Sequence, residues 1–538
     1  DILRQWAGEV AFDPKELEKE RGVVLEEWRQ GRGAWARIED KQFGVLFEGS
    51  RYATRLPIGE PAIIKGAPRA AITRFYRDWY RPNLMAVIAV GDFDAAKLTA
   101  AIQARFADLE NPPGAPARPV VAVARHEETR ISIDTDPEMP ATRVTIYDKF
   151  PQRSEATHGD YRRFVGDQLY HQMMNERLHD LGQRPDAPFL SATSSTRSIS
   201  RTTEAFVRAA HVKEGGALGG LAGLFEETLR AERHGFTRDE LDRAKKDVLR
   251  SYEEAVTERN KTDGQQLAAE LVRHFLEREP VPGIEYELGV LRKVLPGFTL
   301  QEQNHWARAW ARTADRVILI EGPTSMPPVT RADVLATLAR VQNNENAGPR
   351  AGAPSARSIS RPLLAKAPAA PGKIIAEKTF AELGVTEWTL DNGVRVVFKP
   401  TGFQNDQVRF MAFSPGGTSL ASDADYVSAT FASAVVDEGG VADLSAVELN
   451  RLLSGKVLGV GVSIDELEER LFGLASPQDL EEMFQLIYLR FTRPRLDKVA
   501  FEAWRQREIE RIKHRRADPE TGFFEDMQAF LYNKLPRR

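Results

Sequence analysis

The chain has 538 residues, 42% of them hydrophobic and 28% charged, with a formal net charge of −4 and no cysteine. That length exceeds what one hydrophobic core organises, so three to four domains are expected, and the lack of thiols excludes disulfides, zinc–thiolate sites and cysteine nucleophiles. A slightly acidic balance with no basic block among aromatics argues against nucleic-acid binding, and no apolar run reaches the ~18 residues that a membrane span needs.

The chain opens DILRQWAGEVAFDP, with no initiator methionine or leader pattern, and closes FLYNKLPRR just after an amphipathic stretch. Both ends read as cut, and a fragment of a longer polypeptide is expected. Next comes KELEKERGVVLEEW (15–28), a short helix dense in glutamate. Glu20 and Glu27 stand seven positions apart, nearly two turns, and so share a face. Leu17, Val23, Val24 and Trp28 flank them, while Glu18, Gly22, Glu26 and Arg29 gather on the opposite side. Two carboxylates inside an apolar arc need a positive partner if the arc is buried. LMAVIAVGDF (84–93) reads as a short buried strand running into a turn, and ENPPGAPARP (110–119) as a soft boundary.

RISIDTD (130–136) and TRVTIYDKF (142–150) are alternating strand candidates. YRRFVGDQLYHQMMNERLHDLG (161–182) is a long amphipathic helix stopped by Gly182, and longer helices are expected at about 238–278 and 300–312. None of the nine histidines forms His-x-x-Glu-His or His-Glu-x-x-His. HEETR at 126 comes nearest and lies between domains; His171 and His179, eight apart, read as ordinary helix residues. NAGPRAGAPSARSISRPLLAKAPAAPGK (346–373) predicts an extended, poorly ordered linker. Beyond it, EWTLDNGVRVVFKP (387–400) reads as a hairpin, with Asn392-Gly393 supplying the positive φ values of a tight turn. Strands and helices do not alternate strictly. The fold class is therefore α+β, in repeated two-layer domains with helices on one face of a mostly antiparallel sheet.

A weak repeat relates IEDKQFGVLFEGSRY (38–52) to FEDMQAFLYNKLPR (524–537), with Asp40 over Asp526. The same offset puts Glu27 over Lys513 and Glu20 over Gln506, so the later copy lacks the glutamate pair.

ERGVVLEEW (20–28), FYRDWYRPNLMAVIAVGDFD (75–94), WTLDNGVRVVFKP and FTRPRLD (491–497), taken in order, resemble the insulinase/pitrilysin zinc metallopeptidases, the inverzincins, over essentially the whole chain. The first two motifs in that spacing are fairly specific. In that family an inverted His-x-x-Glu-His helix supplies two imidazoles and the general base, and a glutamate on a later helix supplies the third ligand. The resemblance implies that Glu27 is a Zn2+ ligand and Glu20 a supporting acidic residue, with Zn2+ as the missing positive partner. No general base is expected within the chain; its place would be upstream of residue 1, and the chain as given is expected to be inactive.

FMAFSPGGTSLASDADYVSATFASAVVDEGG (410–440) stands where a second motif helix would be. Thr430, Ser433 and Ala434 occupy its histidine and glutamate positions, so this part resembles the family's degenerate half. The implied organisation is a metal-site domain ending within 1–112, a non-catalytic domain at 120–342, a linker at 343–384 and an inactive domain at 385–538, forming clamshell halves. The implied function is zinc-dependent metalloendopeptidase action on a peptide or unfolded polypeptide in a closed chamber. The alternative is a non-catalytic scaffold or partner subunit of the same fold. No nucleic-acid partner and no membrane span are expected, a homo-oligomer or partner half-subunit is left open, and the periplasm is the expected location, with the cytoplasm as alternative.

Overall fold

The computed structural model describes residues 1–538 apart from 311–313, 345–347, 349–360, 365–371, 514, 534–536 and 538. Most of the linker expected over 346–373 lies outside the described residues.

Strands β1 (Arg130–Asp136), β2 (Thr142–Pro151), β3 (Ser191–Ser200), β4 (Thr203–Val212) and β5 (Arg316–Pro323) form one sheet in the order β1-β5-β2-β4-β3. Neighbours are antiparallel except β1 and β5, which run parallel from Arg130↔Val317 to Asp136↔Pro323. The side-chain period of two sorts β2 between two faces. Val144, Ile146 and Phe150 enter the largest core, while Tyr147, and by the same period Lys149, point to the other side.

On the first face lie helices His158–Gly182, Ala217–His234, Arg238–Thr257, Ile284–Val294, Leu300–Ala309 and Arg331–Gln342. Their apolar sides fill a core whose buried members all fall between Val144 and Val341. Helices His158–Gly182 and Leu300–Ala309 touch at Gly166, where a Cβ would stand 1.3 Å from the Trp306 ring. Only glycine permits that approach. The second face is covered from the first segment: Leu46 and Phe47, at the end of helix Ala34–Leu46, pack on Val317 and Leu319 beside Phe43, Val45 and Tyr147.

Several local expectations shift. The long helix starts at His158, because Thr157 and Asp160 form a reciprocal capping box that holds three further residues. Gly182 is its last residue, but Gln183 follows in right-handed conformation, so no left-handed glycine cap forms. The 238–278 stretch is two helices, divided by a tight turn at Arg259–Lys261 and restarted by Asp263, which accepts from the Gln265 N–H at 2.7 Å. Residues 84–93 are not a strand: after the turn Pro82–Leu84 they pair with none of the three sheets. Their apolar side chains suit a strand, but a strand also needs a neighbour for its N–H and C=O groups.

Beyond the linker, β6 (Ile374–Phe380), β7 (Val385–Leu390) and β8 (Arg395–Phe398) form a meander, and β6 falls inside the stretch read as linker. The β7–β8 hairpin turns with positive φ at Gly393 alone; Asn392 acts through its side chain, accepting from the Val394 N–H at 3.1 Å. The last sheet has the order β10 (Leu458–Ile464), β11 (Glu468–Ala475), β9 (Val408–Pro415), packed by helices Tyr426–Gly439 and Leu480–Thr492. β9 runs through Gly416 and Gly417 into helix Tyr426–Gly439, so the 410–440 stretch is a strand, a glycine turn and the helix that carries the motif positions. Gly417 has φ +66°, and a Cβ there would meet the Asp465 carbonyl at 2.3 Å.

Candidate functional site

Helix Pro14–Gln30 is started by Asp13, whose carboxylate accepts from the Lys15 and Glu16 N–H groups at 2.8 and 3.2 Å, with Pro14 in the first helical position. Its glutamates then separate by partner. Glu16 pairs with Lys19 at 2.7 Å, Glu18 with Arg21 at 3.0 Å, and Glu26 with Arg29 at 2.6 Å. The Arg29 fork holds the Glu26 carboxyl below its ordinary range. Glu20 and Glu27, both exposed, take no hydrogen bond or ion pair among the described residues. The one face carrying this pair is therefore the face left without cations.

The apolar arc around that pair is open. The helix has no buried residue, and Val23 is 57% exposed. The burial cost anticipated for the two carboxylates is not incurred here, because little besides helix Pro61–Gly66 packs against this helix. Arg21 donates to the carbonyls of Ile64 and Ala67, and Arg32, in the turn that follows, lies 5.0 Å over the Trp28 ring.

The repeat places its counterpart on helix Lys498–Lys513, and that face is occupied by protein. Gln506 accepts from Lys213 Nζ at 2.5 Å, and Lys513 pairs with Glu214. Glu510, between them, accepts from the Glu214 N–H at 2.9 Å. On helix Tyr426–Gly439, Thr430 returns its hydroxyl to the Val427 carbonyl of its own helix at 2.7 Å.

A catalytic zinc site takes three protein ligands. Among the described residues no group of three His, Cys, Asp or Glu side chains could hold a metal ion. Glu27 with Glu20 offers one donor and one neighbouring carboxylate, which does not make up such a site, and no chemical step follows from it alone. The histidines do not fill the gap. His171 is held between the Ser194 and Thr196 hydroxyls at 2.9 and 2.8 Å, and burial pushes it down to about 3. His126, next to β1, is buried with Nδ1 on the Glu128 carbonyl at 2.6 Å.

Sequence reasoning passed over the buried charges of the middle sheet. Asp148 interrupts the apolar face of β2 and is met by Arg316 at 2.7 Å and by Arg208. Glu321 follows the apolar run VILI (317–320) of β5, where it takes Gln42 and Arg143 at 2.5 Å each. A lone carboxylate in an apolar strand is a legible sign of an internal partner. The partner's identity, 279 positions away for Gln42, is not.

Two-layer α+β units with helices packed on open sheets are also the architecture of the clamshell M16 structures that this chain matches. Residues 67–248 match the family described as the peptidase M16 inactive domain. A zinc protease PQQL-like protein of Arabidopsis thaliana is 30% identical over 536 residues, 99% of this chain and 50% of that protein. The crystal structure of the periplasmic protease PqqL from Escherichia coli superposes with a TM-score of 0.61 at 22% identity, covering 98% of this chain and 58% of that one. A mutant of the ferredoxin protease FusC, solved with Arabidopsis ferredoxin, gives a TM-score of 0.64 at 22% identity with the same coverage. The family match, the relatives and the solved structures all point to the insulinase/pitrilysin (M16) metallopeptidases, which this chain resembles over nearly its whole length. It spans about half the length of the curated relatives it matches, 50% and 57% for two of them.

Proposed function

We propose that this chain is part of a zinc-dependent metalloendopeptidase, in which Glu27 is one metal ligand and Glu20 supports it. The observation that carries this reading is the sorting of charges on helix Pro14–Gln30: every other glutamate of the helix is neutralised by a cation three residues on, and the Glu20–Glu27 face is kept free. Bound zinc would supply Lewis acidity that no side chain here offers; with no His-x-x-Glu-His in the chain, the imidazoles and the general base are assigned to another part of the protein. The chain's own contribution is a carboxylate held toward solvent and walls that enclose a polypeptide. Residues 120–342 and 385–538 are assigned as non-catalytic walls, the former supported by the inactive-domain match and the latter by Thr430, Ser433 and Ala434 at the motif positions. The substrate is a peptide or unfolded polypeptide and the compartment the periplasm, in line with one structural neighbour that is a ferredoxin protease and another that is a periplasmic protease. No helix among the described residues is long and apolar enough to cross a membrane.

The test is Glu27→Gln in the full-length protein. The amide keeps the shape and removes the charge, so zinc content and peptide turnover should both fall. Full zinc and full turnover in that variant would make Glu27 a surface residue and the reading of this helix wrong; a wild-type protein with neither zinc nor turnover would favour the non-catalytic scaffold.

A further inference from the structure

Helix Pro14–Gln30 has few contacts of its own, and its placement passes through residues 31–33 to helix Ala34–Leu46. Arg32 couples the two. It pairs with Asp40 on the second helix, stacks on Trp28 of the first, and accepts at its carbonyl from Arg37 Nη1 at 2.6 Å. Trp28 adjoins Glu27, so whatever fixes helix Ala34–Leu46 also fixes the glutamate face.

The middle sheet grips that second helix at three levels. Near its start, Arg37 forks onto Asp136 at 2.7 and 2.6 Å and reaches Glu138 at 2.5 Å. At mid-length, Gln42 Nε2 donates to Glu321 Oε2 at 2.5 Å, with only 4% and 2% of these residues exposed. At its end, Lys149 Nζ donates to the Leu46 carbonyl at 2.9 Å, placing a cation on carbonyls the helix cannot satisfy itself. Lys149 is 2% exposed, and burial, then Arg130, pulls it down to about 8, opposed by Asp315, Glu48 and Glu128. It still carries its charge at pH 7. The apolar contacts of Leu46 and Phe47 would tolerate rotation or sliding of the helix. Three directional contacts spaced along it do not.

We propose that Asp136, Glu321 and Lys149 are positioning residues. Through helix Ala34–Leu46 and Arg32 they set where the Glu20–Glu27 face stands, so the middle segment tunes the candidate ligand without touching it. The consequence for metal binding rests on the proposed function; the mechanical coupling does not.

The chain has no cysteine, so two introduced ones are its only labelling sites, any cysteine elsewhere in the full-length protein being replaced by serine. Spin labels at the exposed positions Val23→Cys and Arg238→Cys in the full-length protein should give one narrow distance distribution. Lys149→Met and Asp136→Asn should broaden or shift it, while the unfolding midpoint of the middle core, which contains no residue of the first segment, holds. In the same proteins zinc affinity should fall on the order of tenfold, kcat should drop at constant KM, and Lys149→Arg should restore both. Arg32→Met, at a partly exposed turn, gives the same readout should Lys149→Met fail to fold. An unchanged distribution in every variant overturns the proposal. So does a broadened one with wild-type zinc affinity and kcat, provided that Glu27→Gln loses zinc. If Glu27→Gln keeps its zinc, the metal reading fails, and the distance measurement alone decides the coupling.

Discussion

Helices Pro14–Gln30 and Lys498–Lys513 hold matching places in the repeat and use the same two positions oppositely. In the first, the positions are Glu20 and Glu27, exposed and without a protein partner among the described residues. In the second they are Gln506 and Lys513, committed to Lys213 and Glu214 of the middle segment. On the proposed reading, a position seven residues from its mate serves a ligand in one copy and an interface in the other. The charge left unpaired marks which. Carboxylates without cations suit a metal; a lysine beside Glu214 and Glu510 suits docking.

The largest effect should come from exchanging charge between the copies. Glu27→Lys in the full-length protein puts an ammonium where the ligand stood, and zinc affinity should fall by more than the roughly hundredfold that marks outer-shell changes. Lys513→Glu should create no zinc binding and should release helix Lys498–Lys513, seen as faster hydrogen exchange there. Zinc bound by the Lys513→Glu protein beyond the wild-type amount would erase the distinction. Next comes Glu20→Gln, which should cost about tenfold to a hundredfold in affinity or activity. Combined with Glu27→Gln it should not add, since the pair shares one face.

A smaller effect tests the platform that both helices lean on. His171 is neutral in the folded state, pushed down to about 3 from the ordinary ~6.5. Between those values the unfolded chain binds a proton that the folded chain refuses. Stability should therefore fall as pH drops through this window, by ~1.4 kcal/mol per pH unit. His171→Gln, which does not titrate, should flatten that slope in urea melts at pH 7 and pH 4. The smallest change is Gln506→Ala: it removes one acceptor from Lys213 and should cost about 1 kcal/mol of docking stability. Zinc affinity should not respond.

Alternation made β1 and β2 legible, because Ile131 and Ile133 of β1 and Val144, Ile146 and Phe150 of β2 stand two residues or a multiple of two apart and turn to the largest core. The long helix was legible from its amphipathic period, and its true start was available in Thr157 and Asp160. The 84–93 stretch misled for a physical reason: strand composition is local, while strand pairing is not. For the proposed site, spacing set Glu20 and Glu27 on one face and the family resemblance gave them a role, whereas the exposure of their helix depends on what packs there. Lys149 and Glu321 were invisible for the opposite reason. Their partners lie on a helix about a hundred or more positions earlier, and nothing in the intervening chain announces the contact.

Helix Ala34–Leu46 also bears on how this protein can be taken apart. A piece cut at residue 120 keeps all five strands of the middle sheet but strips the cover from Val317, Leu319 and Tyr147. It also leaves Lys149 and Glu321 without Leu46 and Gln42. Such a piece would expose a sticky sheet face on which Lys149 has lost its acceptor and Glu321 keeps only Arg143, and self-association is the expected fate. Retaining residues 34–47 on the same polypeptide, or adding them back as a peptide, should restore solubility. The unit of expression for the middle sheet is thus set by what shields its second face, and it begins well before its first strand.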